Sequence, residues 1–239
     1  MKDEAFYNKL FIQFGQFTIA AMFIPVVAAM LHYRLLDKAS RIFLLYLSVI
    51  ILVNLIEQAF IWSVNNQTDL WRPFLTKFEI GDTNFLGILS FLTDFIFLGL
   101  FFSVTVVPAG IGKWIGWASV LLALIAVVDY FWITGYNATG VFTPTLDGIF
   151  ASLLPLIQLG YMVRQDYKVS IYKIPYFWFS SGLIVTHLLA LLFYLAGDKI
   201  YDTDFPLYVK LYLIGNCLNI ASQILYAIGF RHARTLRYI

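Results

Sequence analysis

The sequence predicts an all-α integral membrane protein: one seven-transmembrane-helix bundle, with the amino terminus outside and the carboxy terminus inside. Three observations carry this reading. Of 239 residues, 61% are hydrophobic and only 13% are charged, against roughly 45–50% apolar and about 25% charged in soluble domains. The mean hydropathy is +0.80, and a water-soluble chain of this size has too little interior to hide so much apolar surface. The apolar residues fall into seven runs, each close to the roughly 20 residues that a helix needs to cross a bilayer. They run continuously instead of alternating, which excludes a β-barrel. A soluble enzyme, a disordered chain and a nucleic-acid-binding domain are excluded with it, and a net charge of +2 is too mild for a nucleic-acid partner.

The elements follow in order, as one domain over 1–239. The first span is expected at 11–31. Its leader, MKDEAFYNKL, mixes acids with bases and its apolar stretch is too long for a signal peptide, so it should be retained. The second span, 42–64, and the third, 84–107, are the most apolar. Pro108-Ala109-Gly110 stops the third, and Asn137-Ala138-Thr139-Gly140 follows the fourth, 114–135. A fifth span, 147–163, is short and carries Pro155, where a kink is expected. Gly197-Asp198 should close the sixth, 175–196, and the seventh covers 207–230. There is no internal repeat, and seven helices suit an inverted arrangement poorly.

Lysine and arginine set the orientation. Arg34, Lys38, Arg41, Lys113, Arg164, Lys168, Lys173, Arg231, Arg234 and Arg237 fall on one side. The opposite side holds Lys2, Lys9, Arg72, Lys77, Lys199 and Lys210, with Asp69, Glu79, Asp82, Asp198, Asp202 and Asp204. The amino terminus is therefore expected outside. Trp62, Trp71, Trp132 and Tyr136 lie near the outer boundary, and Trp114, Trp117 and Tyr176 near the inner one, as aromatic belts do. Asn66-Gln67-Thr68 and Asn137-Ala138-Thr139 match glycosylation sequons on the outer side, a pattern common by chance.

Charged groups at membrane depth are costly and are functional candidates by default. Counting along each span at 1.5 Å per residue, Glu57, Asp94, Asp129, His187, Asn216 and Asn219 fall between the midplane and the outer third. They sit on helical faces: Asn54 with Glu57; Gly87, Ser90 and Asp94; Ser180, His187 and Tyr194; Asn216, Asn219 and Gln223. Such faces should point into the bundle, where these residues would line one cavity open to the outside and bind a small ligand, a cation or a proton. The competing reading is a set of interhelical hydrogen bonds that fix register. No Lys or Arg lies deep enough to pair with the three carboxylates.

Several chemistries lack their residues. A retinal Schiff base needs a lysine midway along the last helix, and none lies between residues 211 and 230. His32 and His232 belong to the inner surface and His187 to the middle, so the three histidines cannot share a zinc ion or a haem. Cys217 is the single cysteine. The small-residue seam Gly215, Ser222, Gly229 and the Gly112-Gly116 pair are read as close packing within the chain. No catalytic residue, metal site or cofactor is expected.

In the sixth and seventh helices, Phe177, Trp178, Ser180, Ser181, Gly182 and Leu183, then Leu218, Asn219, Ile220, Leu225, Tyr226 and Ala227, form two motifs. They resemble a group of uncharacterised bacterial seven-helix membrane proteins, whose corresponding stretches read FWxxSGLLIY and HxxLNIIxNILYAIAL. Members are often encoded near sensor kinases. The resemblance implies a bacterial inner-membrane protein with a signalling role and supplies no activity.

The expected function is a receptor-like sensor of an external small ligand or ion. It would signal to a cytoplasmic or membrane partner through loop 164–174 and the basic tail. The alternatives are a proton- or ion-coupled transporter using Glu57, Asp94 and Asp129, and a structural subunit of a membrane complex.

Overall fold

The structure, a computed structural model, describes residues 2–106, 109–136 and 140–234. Among them there is no strand, and seven helices are long and apolar enough to cross a membrane: Gln13–Leu31, Lys38–Asn66, Asn84–Thr105, Gly110–Ile133, Phe142–Arg164, Pro175–Gly197 and Phe205–Arg234. The chain is a multi-pass, all-α membrane protein.

Local chemistry sets the helix starts. Asp37 caps the second span, accepting from the backbone N–H of Ser40 at 3.0 Å and of Ala39 at 3.3 Å. Asp204 caps the seventh through the N–H of Leu207 at 3.0 Å. Pro175 opens the sixth, where its missing N–H costs nothing.

Four details depart from the sequence expectation. The first span is two helical stretches, Lys2–Ala21 and Phe23–Leu31. The fifth helix begins at Phe142, not at 147, because Pro144 fits a first turn; Pro155 lies inside it. The sixth helix continues to Thr203, so Gly197-Asp198 does not end it: a lone glycine only weakens a helix, and no proline follows until Pro206. The segment 65–83 contains a helix of its own, Thr68–Lys77. Pro108 and the Asn137-Ala138-Thr139 sequon lie outside the described residues.

Packing makes the first, second, third, fifth, sixth and seventh spans neighbours in a ring. The fourth lies outside it, against the third, and Trp114, Trp117, Leu121, Leu124 and Trp132 are exposed on its surface. In a bilayer those side chains meet lipid, and so do Leu45, Leu52, Leu188 and Leu192 of other spans. Close approach inside the ring uses glycine. Gly182 abuts the ring of Tyr226, Gly229 abuts Phe179 and the Pro175 carbonyl, and Gly112 abuts the Ser103 carbonyl. The seam on the last helix and Gly112 therefore pack within the chain.

Toward the carboxy-terminal end, the ring is filled by aromatic side chains. Phe43, Phe101, Phe179 and Phe230 are fully buried. Phe43 stacks on Phe179 at a centroid distance of 4.3 Å and meets Phe101 at 5.1 Å and Tyr226 at 5.1 Å; Phe179 meets Phe230 at 4.8 Å. Offset and edge contacts of this kind hold aromatic cores together.

Candidate functional site

Two membrane helices interrupt their regular winding at an aspartate. Asp94–Leu98 and Asp129–Ile133 are π-helical turns, and Thr134 N–H donates to the Asp129 carbonyl at 2.8 Å, five residues back. Such turns insert an extra residue and re-aim side chains, and they cluster at functional positions.

The Asp94 turn faces the ring interior. Its carboxyl meets the Tyr46 hydroxyl of the second span and the Asp147 carboxyl of the fifth. His187 of the sixth span completes the group: one ligand atom from each of Asp94, Asp147 and His187 lies within 4.8 Å of the others. All three residues are buried, Asp147 to 2% exposure, and the Oδ1 atoms of Asp94 and Asp147 have no hydrogen-bond partner.

A cavity of about 290 Å³ adjoins this cluster. Asp94, His187, Ser90, Asn219 and Gln223 supply its polar wall, and Tyr46 and Tyr226 the side toward the aromatic core. Gln223 Nε2 donates to Asn219 Oδ1 at 2.8 Å, while its buried Oε1 is left without a partner. A second cavity, about 300 Å³, shares Thr186, Ala190 and Asn219 with the first. It follows Phe193, Tyr212 and Tyr208 between the sixth and seventh spans toward the amino-terminal end of the bundle.

The expected polar residues do not form one layer around one cavity. Asp94, His187 and Asn219 come together at the site. Asn216 lines the second cavity and accepts from Thr18 Oγ1 at 2.6 Å, tying the first span to the seventh. Asp129 is buried elsewhere, accepting from Thr134 at 2.8 Å and Thr143 at 2.5 Å, because the fourth span stands outside the ring. Glu57 accepts from Thr83 Oγ1 at 2.6 Å. Asn54 bonds its own helix at the Ile50 carbonyl, 2.9 Å away. Tyr194 lies on the sixth helix, and its side chain is outside the described ones.

Asp147 is the residue that sequence reading misses as a site member. Placed at the lip of a helix starting at 147, it reads as a boundary residue. The signal is Pro144, which belongs in a first turn and moves the helix start to an earlier residue, carrying Asp147 more than a turn inside the helix.

Neither a family model, a curated protein nor a solved structure matches the chain.

The chemistry of the site follows from its charges. Two carboxyls and an imidazole share a buried region whose adjoining cavity is lined by no Lys or Arg. Two carboxylates so close cannot both stay ionised without a counter-charge. An unpaired buried charge is costly. Such a cluster can hold something positive, a metal ion or protons.

Proposed function

We propose that the protein is a receptor-like membrane sensor that binds a small polar ligand or ion in the Asp94–His187 cavity. The observation that carries this reading is a polar cavity with a dry end. The neighbouring crevice leads from it toward the amino-terminal end, while four phenylalanines fill the ring toward the other. A binding pocket blind on one side suits ligand detection better than passage.

On this reading the amino terminus faces outward from a bacterial cytoplasmic membrane, in keeping with the excess of Lys and Arg at the carboxy-terminal end. Binding shifts the sixth and seventh spans, which bound both cavities. The shift reaches a signalling partner through loop 164–174, where the sixth helix begins. There the Tyr176 hydroxyl donates to Asp37, the cap of the second span, so the sixth and second helices move together.

A second reading, a coupled transporter, draws on the fifth span. Gln158 lies three turns from Asp147 on the same helical face, and its buried Oε1 has no partner. Such a group marks where a path could continue when the aromatic filling moves.

Proteoliposomes separate the two. With the chain reconstituted, a sensor gives no flux of protons or of divalent cations above empty vesicles. Flux that disappears in Asp94→Asn would overturn the sensor reading in favour of the transporter.

A further inference from the structure

We infer that Asp94, Asp147 and His187 form a binding site for a divalent transition-metal cation in the middle of the bundle. The inference rests on the reading of the adjoining cavity as a ligand site, and names the ligand's chemical class.

Geometry comes first. Three donors from three spans have ligand atoms within 4.8 Å of one another. Metal–ligand bonds of about 2.0–2.2 Å place the donors of a tetrahedral ion about 3.3–3.6 Å apart. Side-chain rotations that draw the donors together by about 1–1.5 Å close the set.

Unsatisfied atoms point the same way. Asp94 Oδ1 and Asp147 Oδ1 are buried and accept no hydrogen bond from an N–H or hydroxyl group, and the two carboxyls face each other. On the seventh span, Gln223 Oε1 is also buried without a partner, and this residue lines the cavity that Asp94 and His187 share. Gln223 is 5% exposed and lies outside the carboxylate–imidazole group, so a fourth span independently leaves a buried oxygen unpaired beside the same cavity. Buried polar atoms are almost always paired, and three left unpaired in one region of the bundle indicate a missing partner.

Charge selects the valence. Two carboxylates and a neutral imidazole carry −2. A divalent ion cancels that charge, and a monovalent ion leaves −1 at membrane depth. Donor type selects the element. Calcium and magnesium favour all-oxygen shells, whereas a mixed nitrogen and oxygen set suits zinc, manganese or ferrous iron. Three protein ligands leave positions open on the cavity side, as in sites where the ion also meets a ligand or water.

The test uses the full chain in lipid nanodiscs, stripped with EDTA and titrated calorimetrically with Zn²⁺ and with Mn²⁺. One ion per chain is expected to bind. Asp147→Asn and His187→Gln should each weaken binding by more than the roughly 10–100-fold typical of losing an outer-shell partner. Cys217→Ser and the paired change His32→Ala, His232→Ala should leave the affinity unchanged. If Asp147→Asn fails to fold, His187→Gln carries the test alone, checked by circular dichroism. No binding, or binding indifferent to both variants, overturns the site and leaves protons as the counter-charge.

A separate arm tests the cavity. Asn219→Cys in a Cys217→Ser background should react with a water-soluble thiol reagent. Reaction without metal binding overturns the metal site and leaves the ligand cavity standing. Absence of reaction overturns the cavity reading, while the titration still decides the metal.

Discussion

The carboxyls of Asp94, on the third span, and Asp147, on the fifth, meet inside the bundle beside the imidazole of His187. No other pair of acids among the described residues is placed this way. Glu57 and Asp129, equally conspicuous in the sequence, are each held by threonine hydroxyls. Satisfied and unsatisfied carboxylates should behave differently when changed.

Glu57 anchors the end of the segment 65–83. Thr83→Val removes its donor, a hydrogen bond to a charged acceptor worth about 1.5–3 kcal/mol in general, and partial exposure of Glu57 places the loss at the lower end. Amide exchange should quicken over residues 78–86 and stay unchanged over the sixth and seventh spans. Glu57→Gln should leave cation affinity within about twofold, which calorimetry reads directly.

Asp129 fastens the fourth span to the fifth. Thr143→Val strands a buried carboxylate oxygen and should destabilise the protein by about 1–3 kcal/mol. Thermal unfolding in detergent measures this. Metal binding should survive, because Asp129 lies outside the ring.

Glycine contacts between the sixth and seventh spans give a graded series. A methyl group at Gly182 would press into the Tyr226 ring, and one at Gly229 into Phe179. Each alanine variant should cost about 1–3 kcal/mol from overpacking. Gly215→Ala should be neutral or stabilising: its added Cβ finds Leu189 Cδ2 at 3.4 Å, and alanine favours helix. Comparing the three melting temperatures checks the order.

The aromatic filling closes the ring. Phe43 touches Phe101, Phe179 and Tyr226 at once, so Phe43→Ala should destabilise by about 3–5 kcal/mol. It should also let a water-soluble thiol reagent applied from the carboxy-terminal side reach Asn219→Cys. In the parent background, reaction should occur from the amino-terminal side only.

Much of the fold was legible in the sequence because a bilayer enforces it. Backbone groups in lipid must bond within their own segment, so long apolar runs become helices whatever their neighbours. The second, third and seventh spans appear close to where their apolar runs place them. Which face of each helix turns inward was less legible. Asp129 and Asp94 look alike in sequence, and only the position of the fourth span outside the ring separates them. The π turns at both aspartates also rotate these side chains away from regular spacing, so counting by 3.6 misjudges where they point. Asp147 was hidden by a boundary error of five residues, though Pro144 marked the true start.

The most direct test of the site is X-ray absorption at the zinc edge on chain loaded with one equivalent of Zn²⁺. The account predicts a shell of nitrogen and oxygen only, at about 2.0–2.2 Å, with a single-imidazole signature that disappears in His187→Gln. A sulfur shell near 2.3 Å, which would place the ion on Cys217, or a spectrum unchanged by His187→Gln, would contradict it.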